Sequence, residues 1–124
     1  MNKMIAIRGA TTIENDSVDQ IRIRSVELAR EIIAKNGIKK GECVSLIASQ
    51  TQDIRAAYPV KFVRESGIIG DTPVFSCVEP DVGGGSPPCI RFLLHIQRED
   101  DGSFRPRHVY LHGAKILRRD LENE

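Results

Sequence analysis

Between Met4 and Arg8 the side chains alternate, with Ile5 and Ile7 on one side and Met4, Ala6 and Arg8 on the other, which predicts a strand. A turn follows, and then the period changes. Ser17 is suited to an N-cap, Gln20 stands at the capping-box position, and Ile21, Leu28, Ala29 and Ile32 form an apolar stripe at helical spacing. Gly37 supplies a C-terminal stop. The turn Lys39-Lys40-Gly41 leads into a second strand, Cys43 to Ala48, so the first half reads as a βαβ unit. A shorter helix is expected from about Asp53 to Ser66, with Pro59 early in it or dividing it, and Gly67 to Gly70 ending it. Thr72 to Val78 is strand-like. The prolines and glycines between Pro80 and Pro88 exclude regular pairing and predict a loop. Cys89 to Gln97 predicts the longest strand, with Ile90, Phe92, Leu94 and Ile96 on one face and Arg91, Leu93 and His95 on the other. After a turn at Glu99–Gly102, Arg107 to His112 predicts a last strand, and the charged end from Arg118 to Glu124 is expected to fray. These elements predict an α+β fold with a mixed sheet of about five strands and two helices packed on one face.

The length of 124 residues is enough for one domain, expected over residues 1–124. A net charge of +1 argues against a nucleic-acid or membrane-surface partner, and an aromatic content of 5% argues against base-stacking platforms. The apolar run from Met4 to Ile7 is too short for a signal peptide or a membrane span. Cys43, Cys77 and Cys89 form no CxxC pair and no zinc motif, which favours a reducing cytoplasm. Cys77 and Cys89 are expected to be small core residues.

The candidate chemistry comes from alternation. Arg8, Arg91 and Tyr110 each lie opposite the more apolar face of their own strand. If the helices cover the apolar face, two guanidiniums and a phenol project from the other side, and partly buried cations there require an anionic partner. Scattered surface side chains would show the same alternation, so this pattern alone leaves both readings open. Tyr58, Lys61 and Arg64 share a helix face by their spacing of three, which also describes a solvated basic face. Glu79 stands twelve residues before Arg91, where it could pair with an arginine or accept a ligand hydroxyl. His95, His108 and His112 lack metal-ligand spacing, and the chain has neither a Walker motif nor a nucleophile elbow.

In combination, Ile7-Arg-Gly-Ala-Thr-Thr12, Tyr58-Pro-Val-Lys-Phe-Val-Arg64, Cys89-Ile-Arg91 and Arg107-His-Val-Tyr-Leu111 resemble the small, trimeric monofunctional chorismate mutases of the α/β class, from about residue 4 to about residue 121. The resemblance implies a homotrimeric pseudo-barrel with active sites between subunits. It also implies conversion of chorismate to prephenate, a Claisen rearrangement on the way to phenylalanine and tyrosine, with no cofactor or metal. Arg91 matches the arginine that donates to the ether oxygen, and Glu79 the carboxylate that accepts from the ring hydroxyl and orients that arginine. Arg8 and Tyr110 match the groups that bind a substrate carboxylate. Tyr58 stands on the pocket wall where phenylalanine is common, Lys61 and Arg64 at its basic mouth, and Val74 and Phe75 at further wall positions. Ser76 replaces a common cysteine and keeps the capacity to hydrogen-bond the ring hydroxyl. Leu117 and Arg118 match the C-terminal segment that closes over the site. Two rivals remain at this point: a Rid-like imine deaminase on a similar trimeric architecture, and a non-catalytic trimer that binds a small anion.

Overall fold

The computed structural model describes residues 2–82 and 87–116. In chain order the elements are β1 (Asn2–Thr12), α1 (Val18–Asn36), β2 (Cys43–Gln50), α2 (Pro59–Ser66), β3 (Val74–Val78), β4 (Cys89–Glu99) and β5 (Val109–Tyr110). Short 3-10 turns lie at Lys40–Glu42 and His112–Ile116. The strands form one mixed five-stranded sheet in the order β3-β2-β4-β1-β5. β4 is antiparallel to both of its neighbours, whereas the edge strands β3 and β5 run parallel to theirs.

One face of this sheet makes the main core, while Ala10, Cys89, Tyr110 and Ala114 form a small second buried cluster on the other. Ile7, Leu46, Ala48, Ile90, Phe92, Leu94 and Ile96 are buried with Ile21, Leu28 and Ile32 of α1 and Val60, Phe62 and Val63 of α2. Both helices therefore cover the same face, as the alternation predicts. Gly9 allows the close approach of α1: a Cβ there would stand 2.6 Å from Ile32 Cδ1 and 3.0 Å from Leu28 Cδ1.

Local chemistry sets the ends of the helices. Ser17 caps α1 by accepting a hydrogen bond from the Gln20 amide at 3.2 Å. Gln20 reaches back beyond the cap, its Oε1 accepting from the amides of Glu14 and Asn15, each at 2.6 Å. Gly37 ends α1 in the left-handed region at φ 56°. The second helix is shorter than its sequence predicts: it starts at Pro59, not Asp53. Proline fixes φ for the first helical position and has no amide to leave unpaired, so it opens the helix instead of dividing it. The preceding stretch is tied down by Asp16, whose carboxylate accepts from the amides of Arg55 and Ala56 at 3.0 Å.

Strand lengths also differ from expectation. β1 and β4 each extend over eleven residues because they pair along their whole lengths, from Asn2 opposite Glu99 to Thr12 opposite Cys89. The last strand shrinks to Val109–Tyr110 because its flanks bond elsewhere. The buried Asn36 side chain accepts from the Arg107 amide at 2.7 Å and donates to the Arg107 carbonyl at 2.9 Å, as a neighbouring strand would. Beyond the strand, His112 turns the chain at φ 52°.

At the far end of β4, Arg98 joins the strand to the end of α1. It donates to both oxygens of Glu42, at 3.0 Å and 2.7 Å, and to the carbonyls of Asn36 and Gly37. The hydrogen bonds from Arg98 hold the Glu42 carboxyl below its ordinary value of 4.5. Ionised Glu42 therefore contributes its full stabilisation above pH 4.5, and that contribution is lost as the pH falls through the lower folded-state value. Glu42→Gln is expected to cost about 1–2 kcal/mol near neutrality. Urea unfolding of both proteins should show this gap shrinking on acidification; a gap independent of pH would contradict the assigned ion pair.

Candidate active site

The pairing register sets side chains in rows across the uncovered face of the sheet. Cys77 of β3 lies beside Ser49 of β2, Ser49 beside Arg91 of β4, Arg91 beside Ala10 of β1, and Ala10 beside Tyr110 of β5. The next row on that face is Phe75, Ile47, Leu93 and Arg8. Arg8, Arg91 and Tyr110 thus come from three strands and line one shallow hollow of about 290 Å³. Ala10 between the two larger groups is small and buried, which leaves them room. Tyr110 is only 7% exposed. The Arg8 amide donates to His108 Nδ1 at 2.9 Å, fixing the β1 backbone at the base of its side chain. Among the described residues no acidic side chain forms an ion pair with the Arg8 guanidinium.

Arg91 has such a partner. Its Nε lies 2.8 Å from Glu79 Oε1, with the guanidinium more exposed to solvent than the carboxylate. The Nε atom is itself buried and lacks the alignment of a hydrogen bond, so this contact is chiefly ionic. Glu79 follows the end of β3, where its amide donates to the Gln50 carbonyl at 2.8 Å. A second hollow of about 540 Å³ lies beyond the pair, lined by Arg91, Glu79, Asp81 and the stretch from Thr51 to Asp53. Cys89 is buried close by, and burial pushes its thiol up, away from nucleophilic use at neutral pH. Cys77 corrects the sequence expectation: it is exposed on the uncovered face, because β3 is an edge strand and no helix covers that side of it.

The other candidates stand apart. Tyr58, the N-cap residue of α2, is 67% exposed, and with Lys61 it lines a different hollow of about 540 Å³ beside Val18 and Gln50. Arg64 is exposed one turn along the same helix, while Phe62 and Val63 turn into the core. Val74 and Ser76 share the helix-covered face with their partners Leu46 and Ala48. Phe75, between them, points to the uncovered face and is 67% exposed. Leu117 and Arg118, with residues 83–86 of the Pro80–Pro88 loop, lie outside the described residues. One chain therefore gathers Arg8, Glu79, Arg91 and Tyr110, but not Tyr58, Lys61 and Arg64 with them. Sequence reasoning missed Ser49, whose hydroxyl donates to Glu79 Oε1 at 2.9 Å. Its only signal was the period-two pattern Ser45, Ile47, Ser49, which does not reveal which residue of a distant strand it faces.

Among the described residues no cluster of histidine, cysteine and acidic groups could hold a metal ion, and no helix is long and apolar enough to cross a membrane. What the uncovered face can do is hold a small anion between two cations and a phenol.

The sequence model of the family described as chorismate mutase type I matches residues 4–121. Chorismate mutase AroH of Bacillus subtilis (strain 168) is 39% identical over 115 residues, covering 93% of this chain and 90% of its own. Chorismate mutase AroH of Thermus thermophilus is 36% identical over 118 residues, covering 94% of this chain and 95% of its own. Among solved structures, chorismate mutase from Clostridium thermocellum superimposes with a TM-score of 0.81 at 36% identity, covering 91% of this chain and 99% of that one.

Proposed function

The chain belongs to the chorismate mutase type I family, and from that premise we propose that its Arg8–Arg91–Tyr110 face, completed by a neighbouring subunit, rearranges chorismate to prephenate by positioned charge alone. The activity is that of a chorismate mutase, an isomerase of aromatic amino-acid biosynthesis. Neither the imine deaminase nor the non-catalytic anion-binding trimer draws support from the family or the named relatives.

The observation that carries the site assignment is the convergence of two guanidiniums and a phenol on one hollow, with one guanidinium lacking an acidic partner among the described residues. Chorismate carries two carboxylates, an ether oxygen and a ring hydroxyl. In the transition state the carbon–oxygen bond breaks ahead of carbon–carbon bond formation, so negative charge grows on the ether oxygen. Arg91 is the donor assigned to that oxygen. Its cation stands fixed before the charge develops, so little reorganisation opposes the reaction. Glu79 orients Arg91 and accepts from the ring hydroxyl, while Arg8 and Tyr110 hold a carboxylate and so restrict the substrate to its folded, chair-like conformer.

The neighbouring subunit enters the proposal because one chain offers only half an enclosure. Tyr58 and Lys61 line their own hollow, and the β3 edge leaves Phe75 exposed, with Ile47 partly so beside it. Apolar surface of this kind favours burial against another subunit. By family resemblance the assembly is a homotrimer shaped as a pseudo-barrel. The neighbour would supply Tyr58, Lys61, Arg64 and Ser76, with Val74 and Phe75 as walls, and Leu117 and Arg118 would close over the site. The basic residues would attract the dianionic substrate. The proposal takes residues 1–124 as a single catalytic domain working in the cytoplasm, a setting consistent with three unpaired cysteines.

Two measurements test this reading. Arg91→Ala should lower kcat on chorismate by about 10²–10³-fold while the protein stays folded. Arg91→Lys should also be poor, because lysine keeps the charge and loses the planar fork. Near-wild-type kcat in the alanine variant, followed by loss of chorismate absorbance, would remove Arg91 from its assigned role. The shared site is tested by complementation between Arg91→Ala and a Lys61→Ala, Arg64→Ala double variant. Co-refolded mixed trimers should regain part of the activity that each variant lacks. Mixed trimers that form, as seen by native mass spectrometry, and stay inactive would place both sets within one chain.

A further inference from the structure

Glu79 uses its two carboxylate oxygens unequally. Oε1 accepts from the Ser49 hydroxyl at 2.9 Å and lies 2.8 Å from Arg91 Nε, whereas Oε2 has no hydrogen-bond partner among the described residues. Ser49 can reach this carboxylate because β2 places it directly beside Arg91, while the Glu79 amide is bonded to the carbonyl of Gln50, the next residue of the same strand. The backbone of Glu79 is thus anchored to β2, and the serine hydroxyl restrains the remaining rotation of its side chain.

We infer that Ser49 is a positioning residue for the rearrangement: it holds Glu79 with one oxygen against Arg91 Nε and leaves the other available to the substrate. The physical reason lies in how guanidinium and carboxylate prefer to pair. Unrestrained, they favour a two-pronged arrangement in which both oxygens face two N–H groups. That arrangement would occupy Arg91 donors needed by the ether oxygen and remove the acceptor meant for the ring hydroxyl. The Ser49 hydrogen bond opposes it by fixing Oε1, so Arg91 keeps its outer N–H groups for the charge that grows in the transition state. The inference rests on the proposed roles of Arg91 and Glu79, and it extends them to a residue that touches neither reacting bond.

The test compares side chains of nearly equal shape. Ser49→Thr keeps the hydroxyl and adds a methyl group, and Ser49→Val puts a methyl group where threonine has its hydroxyl. The valine variant should lose about tenfold in kcat on chorismate with a smaller change in KM, and threonine should recover most of that loss. Ser49→Ala, which adds no bulk, should behave like valine. In a Glu79→Ala background the Ser49→Val change should have no further effect, because the hydroxyl acts through that carboxylate. Equal kcat for valine and threonine would overturn the inference, as would an undiminished Ser49→Val effect without Glu79. Arg91→Ala, measured alongside, separates the two levels of the argument. If it loses activity while the Ser49 variants do not, only the Ser49 role fails; if it keeps activity, the site assignment beneath it fails as well.

Discussion

The direction of the Arg91 side chain depends on four apolar residues packed in the core on the other face of the sheet. Ile90, Phe92, Leu94 and Ile96 are each almost completely buried under the helices, and a strand alternates its side chains with a period of two. Arg91 must then point to the opposite face. A slip of β4 by one residue would drive its guanidinium beneath α1 and expose four large apolar groups, a combined cost no local contact could offset. β4 lies at the centre of the sheet, so both of its neighbours enforce the same register. Rigid placement of the cation thus follows from core packing, and catalysis by preorganised charge requires such rigidity.

Around that fixed cation the uncovered face is built from residues with complementary sizes. Ala10 and Ser49 flank Arg91 on its two neighbouring strands and are small enough to leave it accessible. Glu79 balances its charge from the end of β3, and Arg8 adds a second positive group one row away. In a single chain Ala10 and Tyr110 are buried, but the Arg91 side chain is still 39% exposed, and solvent weakens the field there. Covering it with substrate and a second subunit removes water and strengthens each charge interaction. Under the proposed arrangement assembly and electrostatics are therefore linked, because enclosure makes the same charges more effective.

Much of this was legible from local patterns. Alternation separated Ile90, Phe92, Leu94 and Ile96 from Arg91, and Ile5 and Ile7 from Arg8, while Ser17 and Gly37 marked both ends of α1. What escaped depended on tertiary partners. The last strand is cut to two residues because Asn36, distant in sequence, takes the bonds of Arg107. The second helix begins at Pro59 because the loop before it is bound to Asp16. Ser49 carries no mark of its relation to Glu79, since that contact exists only once β2 and β4 are in register. Alternation within β3 could have separated Phe75 from Val74 and Ser76, but a five-residue edge strand gives little periodicity to read.

The central claim is that fixed charges accelerate the reaction without moving a proton. Under the proposed roles Arg91 donates and Glu79 only accepts a hydrogen bond, so no proton changes hands in the chemical step. The most direct measurement is kcat on chorismate across neutral pH, in ordinary and in deuterated water. The account predicts a nearly flat profile and no appreciable solvent isotope effect on the chemical step. A bell-shaped profile centred near neutrality with a large isotope effect would contradict it, because it would require a general acid or base in the transition state.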